Sequence, residues 1–147
     1  MAERSATAIW NGTLFEGNGT VSSGTGVISD QKVTWAARTE DPAGMTSPEE
    51  LIAAAHSSCY AMAFSNVLAE NGTPADSLEV TANVGFGPKE GGGMKVTHSK
   101  LSVTGTVPGV DAETFSKLAK EGEQGCPVSN ALRNNVEITL ESSLNEQ

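Results

Sequence analysis

The chain is poor in the residues that announce a chemistry. It has two cysteines and two histidines in 147 residues, and no Cys-x-x-Cys spacing. A zinc site takes four close ligands, so Cys59, Cys126, His56 and His98 do not suggest one. Positive charge is also scarce. Nine Lys and Arg stand against eighteen Asp and Glu, giving a net charge of −9 and a pI near 4.6. That balance argues against nucleic acid or an anionic membrane surface as a partner. The N-terminal stretch MAERSATAIWNG has early charges and no apolar run, so no signal peptide is expected and a cytoplasmic location follows by default. There is no internal repeat and no low-complexity tract. The length predicts one domain, residues 1–147, large enough for a real core.

What is present is a long helix without charge. SPEELIAAAHSSCYAMAFSNVLAENG, residues 47–72, carries no charged residue between Leu51 and Leu68 and has Cys59 mid-way. Ser47 and Glu50 form a capping box, with Pro48 at the first helical position. Asn71-Gly72 gives a left-handed stop, with Pro74 just beyond. A helix over 48–70 spans roughly 35 Å. His56, Ser57, Ser58 and Asn66 make it read as too polar for a membrane span. Small residues on every side predict a helix buried all round, more than a domain of this size covers alone. A second copy of the chain is the expected cover.

The rest of the chain reads as short elements. Residues 6–37 predict a β-meander, with a hairpin turn at Asn11-Gly12 and alternation through Val33, Trp35 and Ala37. Arg38 to Gly44 is a polar loop. Leu78, Val80, Ala82, Val84 and Phe86 keep period two and predict a half-buried strand. A glycine-rich loop, 87–93, leads to a second strand over about 94–107, where Val96 is out of phase and implies a bulge. Asp111 caps a short amphipathic helix presenting Phe115, Leu118 and Ala119. Cys126-Pro127 opens another helix through Leu132, and Val136, Ile138 and Leu140 form a last strand. The order is that of an α+β fold, not a doubly wound one.

Two cysteines in a cytoplasmic chain favour reactive or metal-binding thiols over a structural disulfide. Cys59 alone fits a packing role as well as a chemical one, because burial raises a thiol pKa and a thiolate there needs a cation. Arg38, at the end of a β run just before the helix, is a candidate for it. Cys126 stands at a helix entrance, where an anionic sulfur is favoured. Glu50 is used by the capping box, which leaves Glu49 free to pair with Arg38. Glu49 lies about 15 Å from Cys59 along one helix, so both border one site only if a second subunit supplies one or Arg38 spans the gap. Met45, Met62 and Met94 read as packing or loop residues. His56, three residues before Cys59, reads as a packed or hydrogen-bonded core histidine; a Cys59/His56 hydrolase is the rival reading. A non-catalytic dimeric ligand-binding module is another.

Four stretches then act together: GTVSSGTGVIS (19–29), TSPEELIAAAHSSCYAMAFS (46–65), VPGVDAETF (107–115) and GCPVSNAL (125–132). In this order and spacing they resemble the osmotically inducible protein C (OsmC) family of thiol-dependent peroxidases, across nearly the whole chain. Organic hydroperoxide resistance proteins share the two-cysteine layout. An Arg late in the N-terminal sheet resembles the OsmC branch more. Ser47 stands where Asn is frequent, and the 87–93 loop follows no family pattern. The resemblance implies Cys59 as peroxidatic cysteine, Cys126 as resolving cysteine, Arg38 as the arginine holding the thiolate and Glu49 as its orienting partner. It implies an intertwined homodimer with the long helices central. The implied activity is reduction of organic hydroperoxides, and less well hydrogen peroxide, in stress defence. Turnover as the resemblance implies it needs no metal, haem or flavin cofactor, only an external dithiol such as a lipoylated protein.

Overall fold

Glycine-punctuated β runs at the N-terminus form the expected meander in the computed structural model, which describes residues 1–146. The chain gathers into two units, residues 1–51 and 52 onward. In the first, β1 (Ala6–Asn11), β2 (Asn18–Ser23) and β3 (Gln31–Val33) pair antiparallel in sequence order. Asn11-Gly12 is not a two-residue turn. Asn11 pairs with Asn18, and the six residues between form a loop in which Gly12 takes φ +91°.

The alternation through Trp35 and Ala37 is misleading. The strand stops at Val33, and Trp35–Thr39 forms a short helix, α1. Thr34 decides this, because its hydroxyl accepts the Ala37 amide at 3.1 Å and caps the helix. Arg38 therefore sits in a last helical turn, where a cation suits the dipole, not at the end of a sheet.

Helix α2 (Pro48–Glu70) has the predicted ends. Ser47 Oγ accepts the Glu50 amide at 3.1 Å, while the Glu50 carboxylate turns to the Thr46 hydroxyl at 2.8 Å, so half of the capping box forms. At the other end Gly72 takes φ +82°. Its amide donates to Ala69 O and that of Thr73 to Leu68 O, both at 3.0 Å, a Schellman stop.

Burial on every side does not hold for the single chain. His56, Tyr60, Phe64 and Leu68 form one buried stripe at i, i+4 spacing, and Ala54, Ala55, Ser58, Ser65 and Ala69 are exposed. Met62 is 69% exposed, so it does not pack within the chain. The helix is also less polar than expected: an 18-residue window reaches a mean hydropathy of 1.2, within the range of a bilayer span. Tyr60, Phe64 and Leu68, however, are already taken up by the core of its own chain.

In the second unit, β4 (Ser77–Pro88), β5 (Met94–Thr106) and β6 (Glu137–Leu144) form a sheet in that order. β4 and β5 are antiparallel, with a register shift between Val84 and Phe86 that absorbs the phase break at Val96. β6 runs parallel to β5, which requires a crossover. α3 (Ala112–Gly125) and α4 (Pro127–Leu132) supply it. Asp111 Oδ1 caps α3 by accepting the Thr114 amide at 2.7 Å. α3 packs closely on α2: a Cβ on Gly122 would stand 3.0 Å from Phe64 Cα. The core joins Tyr60, Phe64 and Leu68 of α2 to Leu101 and Val103 of β5 and Phe115, Leu118 and Ala119 of α3.

Candidate active site

The crossover delivers the second thiol to the first. Cys126 is the one residue between α3 and α4, fully buried, and it lies within hydrogen-bonding reach of the half-buried Cys59 on α2. Both are free thiols. Cys126 caps α4 as its position suggested, and its Sγ accepts the Ser129 amide at 3.5 Å. Cys59 accepts the neighbouring amide, that of Val128. Consecutive amides of one turn thus serve the two sulfurs. Burial pushes the Cys59 thiol up from its ordinary value and proximity to Cys126 adds to this; the Val128 amide opposes it without prevailing. A thiolate at Cys59 therefore calls for positive charge.

His56 is fully buried and spends both ring nitrogens on serines. Nδ1 shares a 2.6 Å hydrogen bond with Ser99 Oγ on β5, and Nε2 a 2.7 Å bond with Ser129 Oγ on α4. Burial lowers its pKa, and the charge of Glu123 raises it by less, so the ring is neutral with one nitrogen donating and the other accepting. A ring so held is not a base for Cys59, and the Cys–His hydrolase loses its base. Nothing in the residues around Ser99 marks it as a partner of His56. Ser129, three residues after a helix-capping cysteine, could have been suspected as a capping partner.

A partly buried ion pair joins α3 to the residue that ends α4. Glu123 on α3 stands 2.9 Å from Arg133, which follows α4, although Glu123 Oε1 makes no well-aligned hydrogen bond there. Arg133 also donates to the Glu123 carbonyl at 3.3 Å and to Asn130 Oδ1 at 3.2 Å. Tyr60 donates its hydroxyl to Ala119 O at 3.0 Å.

The other two candidates meet in the first unit. Arg38 Nε lies 3.1 Å from both Glu49 oxygens and Nη2 2.7 Å from Oε1. The fork-to-fork geometry orients the guanidinium plane, and only 8% of the Glu49 side chain is exposed. Arg38 also borders an apolar pocket of about 320 Å³, lined by Trp10, Leu14, Val33 and Trp35. Among the described residues no cluster of His, Cys, Asp and Glu is suited to hold a metal.

The family model described as OsmC-like protein matches residues 40–141. The chain is 41% identical over 137 residues to a protein named Peroxiredoxin OsmC from Escherichia coli strain K12, covering 93% of each. It is 31% identical to the organic hydroperoxide resistance protein OhrB of Bacillus subtilis strain 168, covering 84% of this chain and 88% of that one. Among solved structures, an organic hydroperoxide resistance protein from Elizabethkingia anophelis superposes with a TM-score of 0.79 at 32% identity, over 99% of this chain and 98% of the other. That of B. subtilis OhrB gives 0.76 at 28%, over 95% and 98%. Sequence and architecture agree, and the chain belongs to the OsmC-like protein family.

Proposed function

We propose that the chain is a thiol-dependent peroxidase that reduces organic hydroperoxides through Cys59 and Cys126. The observation that carries this reading is the pairing of two free thiols, far apart in sequence, with consecutive backbone amides donating to their sulfurs. The Cys59 thiolate attacks a peroxide oxygen, giving Cys59 sulfenic acid and an alcohol. Cys126 condenses with it to a disulfide, and an external dithiol, such as a lipoylated protein, reduces that by exchange. Arg38, oriented by Glu49, supplies the positive charge the thiolate needs. The apolar pocket bordered by Arg38 suits an organic substituent, which favours organic over hydrogen peroxide. Relatives named peroxiredoxin and organic hydroperoxide resistance protein support the same chemistry.

Residues 1–147 act as one domain, and the working form is a homodimer. The uncharged outer face of α2, with Met62 exposed at its centre, supports this. The relatives are bacterial proteins, and a cytoplasmic location agrees with the chemistry, since a thiol cycle requires reducing conditions. The test treats the reduced protein with cumene hydroperoxide, counts free thiols and maps disulfides by mass spectrometry. Loss of both thiols into a Cys59–Cys126 bridge is the expected result. Survival of both overturns the reading.

A further inference from the structure

His56 is the least expected occupant of this region. A neutral, fully buried imidazole is costly unless both nitrogens are bonded, and here each is bonded to a serine from a different element. Ser99 belongs to a sheet strand and anchors the ring. Ser129 belongs to α4, a helix of only six residues, too short to hold its place by its own hydrogen bonds. The Ser129 amide donates to Cys126 Sγ while its hydroxyl is held by His56. One residue thus links the second thiol to a ring on α2, three positions before Cys59.

We propose that His56 is a positioning residue for disulfide formation: through Ser129 it fixes the first turn of α4, and with it Cys126, against the helix that carries Cys59. The proposal rests on the peroxidase reading of the two thiols. In the step it governs, the Cys126 sulfur attacks the sulfenic sulfur of Cys59. The S–S bond forms as the Cys59 S–O bond breaks, and the Cys126 proton leaves with the hydroxide as water. Cys126 is oxidised and the sulfenic sulfur reduced, so no further reagent is needed. Misplacement by about 1 Å can cost such a step on the order of a hundredfold. The Arg133–Glu123 pair holds the far end of α4, so loss of the His56 bond frees the first turn without releasing the helix.

The test separates the two oxidation steps in single turnover with cumene hydroperoxide. Sulfenic acid at Cys59 is followed with a dimedone-type probe, and the Cys59–Cys126 disulfide by quenched mass spectrometry. In His56→Leu, disulfide formation slows by about tenfold or more relative to Cys59 oxidation. The peroxide dose that drives Cys59 to sulfinic acid falls in proportion, because the sulfenic acid lives longer. A residue that merely stabilised the fold would lower the melting temperature and leave this ratio unchanged. Ser129→Ala, which keeps the amide and deletes the hydroxyl, produces the same shift and serves if His56→Leu does not fold. A ratio within about twofold of the parent in the folded variants overturns the proposal. If the parent itself forms no disulfide, the peroxidase reading fails, and the proposal with it.

Discussion

Replacing Arg38 by Met keeps most of the side-chain volume and removes the guanidinium from a carboxylate that is nearly inaccessible. Glu49 then keeps a charge with 8% of its side chain exposed and loses three N–H···O contacts of 2.7 to 3.1 Å. Breaking a buried pair from one side costs about 3 to 5 kcal/mol. Because 28% of the Arg38 side chain is exposed, solvent screens part of this, and about 2 to 3 kcal/mol is expected. Glu49→Gln leaves the shape and one acceptor oxygen, with the cation nearer to water, and costs about 1 kcal/mol. The pair is therefore asymmetric, and the deeper partner decides which variant suffers more. The double variant removes the stranded charge, so it is more stable than Arg38→Met alone.

The assay is built into the chain. Both tryptophans, Trp10 and Trp35, lie within residues 1–51, and Trp35 shares α1 with Arg38. Urea unfolding followed by tryptophan fluorescence reports the unit that holds the pair. With an m-value of about 1 to 2 kcal/mol/M, Arg38→Met shifts the midpoint down by about 1 to 3 M. A double-mutant cycle returns a coupling of at least about 1 kcal/mol. A coupling below about 0.5 kcal/mol, or Glu49→Gln as the worse variant, would refute the reasoning and make this an ordinary surface bridge. In the variants that lack Arg38 the pH at which Cys59 is half alkylated moves up, because burial already raises that thiol and the proposed counter-charge is gone.

Three further outcomes are expected. Gly122→Ala gains about 1 kcal/mol of helix propensity in α3, yet places a Cβ 3.0 Å from the backbone Cα of Phe64, which has no flexible end to yield. The melting temperature falls; a rise would show that the α2–α3 contact is softer than it looks. His56 has a lowered folded pKa, so between that value and the ordinary 6.5 the unfolded chain binds the extra proton. Stability therefore declines as pH drops below about 6.5, and His56→Gln flattens the decline in a pH series of melting curves. Asp111 has linkage of the same sign in a more acidic range. Its carboxylate accepts the Thr114 amide and its pKa is lowered, so its contribution is present at neutral pH and is lost as pH falls through the folded value. Asp111→Ala is destabilised at pH 7, whereas Asp111→Asn keeps the cap and loses the acid sensitivity.

Most of this fold was legible because the signals were local. The ends of α2 follow from Ser47, Pro48 and Gly72, and the strand faces from Leu78 to Phe86 and from Ile138 to Leu140, where short-range geometry and side-chain period decide. α1 was misread because three alternating residues carry less weight than one capping threonine. The burial of α2 was overestimated for a related reason. A helix whose outer face is small and uncharged has the composition of a buried one, although only the stripe at 56, 60, 64 and 68 meets its own chain. The Arg38–Glu49 pair was within reach once Glu50 had another role. The Ser99–His56–Ser129 chain was not, since its members are brought together by the sheet and the crossover, and neither feature leaves a mark near His56.

The parallel pairing of β5 and β6 gives that crossover its chemical weight. An antiparallel third strand could have followed β5 through a tight turn, with no helix needed between them. Parallel pairing instead obliges the chain to return along the sheet, and α3 and α4 cover that return by packing on α2. α3 ends at Gly125 and α4 starts at Pro127, so the direction of the chain changes at the single residue Cys126. At such a junction the first amides of the second helix have no carbonyl partner within the helix and take other acceptors. The two sulfurs are those acceptors, Cys59 for Val128 and Cys126 for Ser129. The unmet donors of a helix start and the proposed redox pair thus satisfy each other. Lengthening the junction by one residue should therefore uncouple the thiols even with every side chain retained.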